Sequence, residues 1–210
     1  MKKINIFNLH NSIEFEKMAL EIFRFQAKNN LVYKEFLNYL NIDIESIDKV
    51  DEIPFLPIQF FKSHNVVSSK EAAQRVFLSS GTTGNEQSKH FVSDLSIYEE
   101  SFTKGFEHFY GAIEEYTVLA LLPSYLERDG FSLVYMVNDF IQKSKNKKSG
   151  FYLNNFEELA KNLSELDKNN EKVLLIGVSF AFLDLVEKYK FKLNNTMVMG
   201  TVGMKGRRKE

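Results

Sequence analysis

Four hydroxyl side chains and two glycines fall within six residues, Ser79-Ser80-Gly81-Thr82-Thr83-Gly84. Glycine permits positive φ and lets backbone come close to a ligand. Successive peptide N–H groups turned inward make an anion-sized nest. The hydroxyls add donors and Lys89, a few residues on, adds positive charge. Together these residues suit the holding of nucleotide phosphates. A Ser/Thr/Gly cluster also makes a plain hairpin turn, and composition alone leaves both readings open. It does exclude a Walker A loop, G-x-x-x-x-G-K-[ST] opening a helix, because Glu86-Gln87 stand where Gly-Lys should follow from Gly81. Arg75-Val76-Phe77-Leu78 before the loop and Lys89-His90-Phe91-Val92 after it both read as strands. The loop joins strand to strand, whereas a P-loop joins strand to helix.

Other chemistries are thinly represented. The chain has 210 residues and no cysteine, which removes disulfides, thiolate metal sites and a cysteine nucleophile or acyl acceptor. His10, His64, His90 and His108 are scattered, with no pair at metal-ligand spacing. The formal net charge is −1, so there is no basic field for nucleic acid. The amino-terminal residues are too polar for a signal-peptide core. Apolar runs such as Val118–Leu122 are strand length, far short of the roughly 20 residues of a membrane span. The expectation is a cytoplasmic protein with no integral membrane segment. Lys143 to Lys148 reads as a solvated basic loop.

The positioning elements follow from periodicity. The first 70 residues read as a helical region. Asn11 with Glu14 resembles a capping box. Phe15, Met18, Ala19, Ile22 and Phe23 form one helical stripe, and Tyr33, Phe36, Leu37 and Leu40 form another. Residues 71–210 read as an α/β domain. Strands near 75–79, 88–93, 116–122, 150–153, 172–178 and 196–199 alternate with helices near 95–109, 131–143, 155–167 and 180–188. That spacing predicts βαβ units in a mostly parallel sheet, with ligands at the carboxyl ends of its strands. The hydroxyl loop, Pro123-Ser124-Tyr125 and Gly200-Thr201 each follow a strand end, and the expectation is that they meet in one crevice.

Ser80-Gly81-Thr82-Thr83-Gly84 followed by Lys89 resembles the phosphate loop of adenylate-forming enzymes. Leu122-Pro123 with Gly130 opening an apolar helix is similar to the same enzymes' next motif, which lines the acyl pocket. More narrowly, Pro54–Lys62, Leu78–Gly84 with Gln87–His90, Ala120–Gly130, Leu175–Leu183 and Gly203–Glu210 resemble the long-chain fatty acyl-protein synthetases of bacterial bioluminescence. The resemblance implies that ATP and a fatty acid form an acyl-adenylate and pyrophosphate, with Mg²⁺ bridging the phosphates. The acyl group then passes to a protein thiol, from which an acyl-CoA reductase-type partner makes the aldehyde. It implies phosphate binding by Ser79, Ser80, Gly81, Thr82, Thr83, Gly84 and Lys89. It further implies an adenine loop at Gly200, Thr201, Val202 and Gly203, and an acyl pocket at Pro123, Ser124, Tyr125 and Gly130.

The chain departs from that pattern. Lys89 lies five residues after Gly84, farther than adenylating enzymes usually place it. Gly200 stands where the family shows an acidic residue, and Val202 stands where it shows glycine. The Tyr-Gly-x-Thr-Glu turn and the acceptor cysteine are missing. The expectation is therefore an incomplete adenylate-forming domain, truncated relative to the family and inactive alone. The alternatives are a non-catalytic docking or regulatory fragment that binds a reductase or synthetase, and a fragment of an acyl- or aryl-CoA ligase.

Overall fold

The computed structural model describes residues 6–69, 71–79, 87–122 and 130–201. The chain divides into two compact units, residues 1–97 and 98–210. The first gathers the helices and one β-hairpin; the second holds a parallel sheet with its helices.

In the first unit, α1 (Ser12–Asn29) starts where Asn11 Oδ1 accepts the Glu14 N–H at 2.9 Å. Glu14 answers by accepting from Asn11 Nδ2 and from the His10 N–H. This is the capping box expected from the sequence, with the glutamate reaching one residue further back than usual. Asn30 ends α1 through its N–H to the Gln26 carbonyl. The same residue begins α2 (Leu31–Tyr39), its Oδ1 accepting the Tyr33 N–H. A short helix, α3 (Phe60–Ser63), follows two turns of 3₁₀ helix.

The core of this unit is Leu20, Phe23, Ala27, Tyr33, Leu37, Ile47 and Ile53. The stripe read on α1 is therefore rotated. Phe23 is buried, but Phe15 is 55% exposed, and Leu20 and Ala27 take the inner positions. Tyr33 packs edge-on to Phe23 and donates from its hydroxyl to the Pro54 carbonyl at 2.8 Å. Strands β1 (Arg75–Leu78) and β2 (Lys89–Val92) pair antiparallel with each other, from Arg75↔Val92 to Leu78↔Lys89.

The second unit is a four-stranded parallel sheet, β3 (Thr117–Leu121), β4 (Gly150–Phe151), β5 (Val173–Val178) and β6 (Thr196–Thr201), in the order β4-β3-β5-β6. Its helices are α4 (Leu95–Tyr110, starting at the end of the first unit), α5 (Ser132–Lys143), α6 (Phe156–Lys168) and α7 (Ser179–Lys188). Every residue of β3 and β5 is buried. That is why both strands read as unbroken apolar runs. Phe102, Phe106 and Phe140 interlock over one part of this core, with centroid separations of 5.2 to 5.5 Å. Tyr152 is held by its hydroxyl, which donates to the Lys148 carbonyl and accepts from Asn162 Nδ2. Two of the lysines read as a solvated patch are engaged, Lys143 with Asp139 at 2.7 Å and Lys148 with Glu165 at 2.8 Å. The expected mixed α/β architecture with a parallel sheet is present. No helix among the described residues is long and apolar enough to cross a membrane.

Two consequences are measurable. A Cβ at Gly177 would lie 2.6 Å from Leu121 Cβ and 2.9 Å from the Leu121 carbonyl oxygen. Gly177→Ala should therefore cost about 1–3 kcal/mol in urea denaturation, as overpacking of a rigid strand pair does. Burial pushes the Tyr33 hydroxyl pKa up to about 12. Between pH 10 and 12 the unfolded chain loses that proton while the folded chain keeps it, so stability falls as pH rises. Thermal melts should show this alkaline decline, and Tyr33→Phe should flatten it.

Candidate functional site

The hydroxyl–glycine sequence links β1 to β2, and the residues that flank it are tied by side chains as well as backbone. The Ser79 N–H donates to the Ser88 carbonyl at 3.0 Å. Ser79 Oγ accepts from the Ser88 N–H at 2.9 Å and from Ser88 Oγ at 3.1 Å. Ser79 thus clamps the loop base and retains only its own hydroxyl proton to donate outward. Ser80, Gly81, Thr82, Thr83 and Gly84 lie outside the described residues. Lys89 is exposed at the first position of β2. Its neighbour His90 points to the opposite face, as strand alternation requires. There it stacks on Phe61, with rings 2° from parallel and centroids 5.8 Å apart. His90 is thus a strand histidine fixed by an aromatic ring, and Lys89 is the cation nearest the loop neck in sequence.

The second unit carries the other half of the expected site. Its chain runs from β3 outward to β4, then returns to the other side of β3 to form β5 and continues to β6. Strand order reverses between β3 and β5, the position where parallel sheets open a crevice at their carboxyl ends. Gly177 sits there against Leu121, and its register partner Gly200 lies beside it on β6. The Phe182 ring covers both glycines. Ser179 Oγ donates to the Thr201 carbonyl at 2.8 Å, and Thr201 Oγ1 reaches the Gly177 carbonyl at 3.4 Å. Helices α5 and α7 both begin at this edge with no side-chain cap. Their N-terminal dipoles therefore favour negative charge at this edge. The two adjacent glycines let the Phe182 ring pack directly over the strand backbones, beside the hydrogen-bonded Ser179 and Thr201 hydroxyls.

The adenine-loop candidates divide at the end of β6. Gly200 and Thr201 are its last two residues, in extended strand rather than in a turn. Val202 and Gly203 lie outside the described residues. So do the acyl-pocket candidates Pro123, Ser124 and Tyr125. Gly130, immediately before α5, takes φ +94°, a conformation that favours glycine. The hairpin and the sheet edge belong to separate units. Within the second unit the structure brings Gly200 and Thr201 together with Gly177, Ser179 and Phe182, which the motif reading did not single out. The signal was present, because a glycine inside the apolar run Val173–Val178 marks close backbone approach.

The opposite, amino ends of the strands carry a polar hollow of about 260 Å³ lined by Glu114, Glu115, Thr117, Lys145 and Lys172, among others. Its central charges are already paired. Lys172 Nζ donates to Glu115 at 2.6 Å and lies 5.7 Å from the Tyr116 ring centroid. This hydrogen bond holds the Glu115 carboxyl below its ordinary pKa and the Lys172 ammonium above it. That pattern suits structure better than chemistry. Among the described residues no group of three or more His, Asp or Glu side chains gathers to hold a metal ion. No protein family, curated protein or solved structure matches the chain.

The clamp at the loop neck is testable. Ser79→Ala leaves the Ser88 N–H without its acceptor. The substitution should cost about 1 kcal/mol and speed hydrogen exchange at the Ser88 amide, read by NMR.

Proposed function

We propose that this chain forms part of an ATP-dependent long-chain fatty acyl-protein synthetase of the adenylate-forming type, in the portion that handles nucleotide phosphates. One observation supports the reading. Ser79 and Ser88, which flank the hydroxyl–glycine sequence, are tied together at the end of an antiparallel strand pair, with Lys89 exposed beside them. In the proposed reaction a carboxylate oxygen of the fatty acid attacks the α-phosphorus of ATP. The bond to pyrophosphate breaks, leaving acyl-adenylate. A thiolate then attacks the acyl carbon and AMP departs. This chain has no cysteine, so the acceptor thiol belongs to another polypeptide or segment. The loop's part is to hold the β- and γ-phosphates by N–H and hydroxyl donors and the Lys89 ammonium, a matter of positioning and charge. Mg²⁺ would arrive on the nucleotide's phosphates, since the described residues offer no acidic cluster for it.

Calorimetric titration with ATP tests this. Weak binding is expected, and Lys89→Ala should weaken it about tenfold through loss of a charge-assisted hydrogen bond. The far-UV spectrum should stay the same, because the side chain is exposed. Fatty-acid-dependent ATP–pyrophosphate exchange should be undetectable, because the sequence holds no Tyr-Gly-x-Thr-Glu turn. ATP binding indifferent to Lys89 would overturn the proposal, and brisk exchange would overturn the expectation that this chain is inactive alone.

A second reading, docking to a reductase or synthetase, draws on β6. Among the described residues β6 pairs only with β5, and Val198 on it is 59% exposed. Sheet edges of this kind recruit partner strands.

A further inference from the structure

Helix α1 carries two apolar lines, and the core of its unit takes only one of them. Leu20, Phe23 and Ala27 are buried. Phe15, Met18 and Ile22, with Gln26 one turn further on, line an open groove of about 540 Å³. The segment containing Phe55 and Leu56 also contributes to its lining. From position 15 to position 26 the helix advances ~16 Å, so the groove wall is long as well as apolar. None of its lining residues carries a charge.

Its polar groups are few, and most are already engaged. The Tyr33 hydroxyl is bound to the Pro54 carbonyl. Asn30 Oδ1 accepts from the Tyr33 N–H, and its Nδ2 lies 3.4 Å from Ser68 Oγ. The exposed Gln26 side-chain amide makes no hydrogen bond among the described residues. The aromatic rim stays in water, with Phe15 55% and Phe55 74% exposed.

These features select the occupant. A peptide would bring a peptide N–H and C=O at every residue, each needing a partner, and apolar walls supply none. A second copy of the chain would need a contact of about 800 Å² per partner. This volume instead falls in the few-hundred-Å³ range of small-molecule sites. We propose that the groove binds a single unbranched acyl chain. Its hydrocarbon lies along Phe15, Met18 and Ile22, and its carboxyl oxygen accepts from the exposed Gln26 amide. The groove itself asks only for a chain with one polar end; the choice of a fatty acid over another amphiphile rests on the synthetase reading.

The full chain is titrated with cis-parinaric acid, a polyene fatty acid that fluoresces in apolar surroundings, and the probe is displaced with octanoic, decanoic, dodecanoic and tetradecanoic acids. Displacement is expected without ATP, tightening about fourfold per added methylene until the groove is filled. Ala19→Phe fills the groove and should weaken binding tenfold or more. Phe55→Ser changes only an exposed rim residue, so folding is not at stake, and it should weaken binding several-fold. Lys89→Ala should leave fatty-acid binding unchanged, so failure of ATP binding and failure of chain binding are separable. Absence of displacement overturns the proposal. So does affinity that ignores chain length, or indifference to both groove substitutions. A concentration-dependent dimer that dissociates in Phe55→Ser, seen by sedimentation, would hand the groove to a second copy and also overturn it.

Discussion

The parallel pairing of β3 with β5 is the contact on which the second unit depends. Five consecutive register pairs, from Thr117↔Val173 to Leu121↔Gly177, lie in the buried centre of the sheet. Both strands are covered on both faces, so their backbone groups have only each other, β4 and β6 to satisfy them. The pairing ends at Gly177, where the strands come closer than any side chain would allow. The same contact that closes the core thus sets how closely the two strands approach at their carboxyl ends. Packing and candidate site share one glycine there, and a change that relieves one disturbs the other.

Much of this unit was legible in the sequence because its signals are local. The alternation of strands and helices named a parallel sheet with covering helices, and β3 and β5 have unbroken apolar runs that name a buried sheet. Strand order was not legible. Nothing in the residues of β4 says that it lies outside β3 while β5 lies on the other side. The topological reversal between β3 and β5 therefore came only from the fold. At the site itself, hydroxyls and glycines announced a loop, but not that Ser79 turns its oxygen inward to clamp Ser88. Side-chain hydrogen bonds across a hairpin neck leave no periodic trace.

The first unit shows a different failure of periodicity. Phe15, Met18, Ile22 and Phe23 make one stripe on a helical wheel, and a stripe is ordinarily read as core. Here the core accepts Leu20, Phe23 and Ala27, and Phe15, Met18 and Ile22 form a groove wall. The hydrophobic pattern of a helix counts its apolar faces without saying which neighbour covers each. A second apolar line beyond what the core can use is the trace such a groove leaves in sequence.

Asn30 closes α1 with its backbone and opens α2 with its side chain, and it is 6% exposed. One residue therefore fixes both the last turn of one helix and the first turn of the next. Neither helix can fray at that junction without the other losing a cap, so the pair should open and close as one cooperative block rather than as two independently breathing segments. The wall of the groove on α1 inherits that rigidity. Its shape is set before anything enters it, and the ordering entropy of that wall is lost during folding rather than at binding.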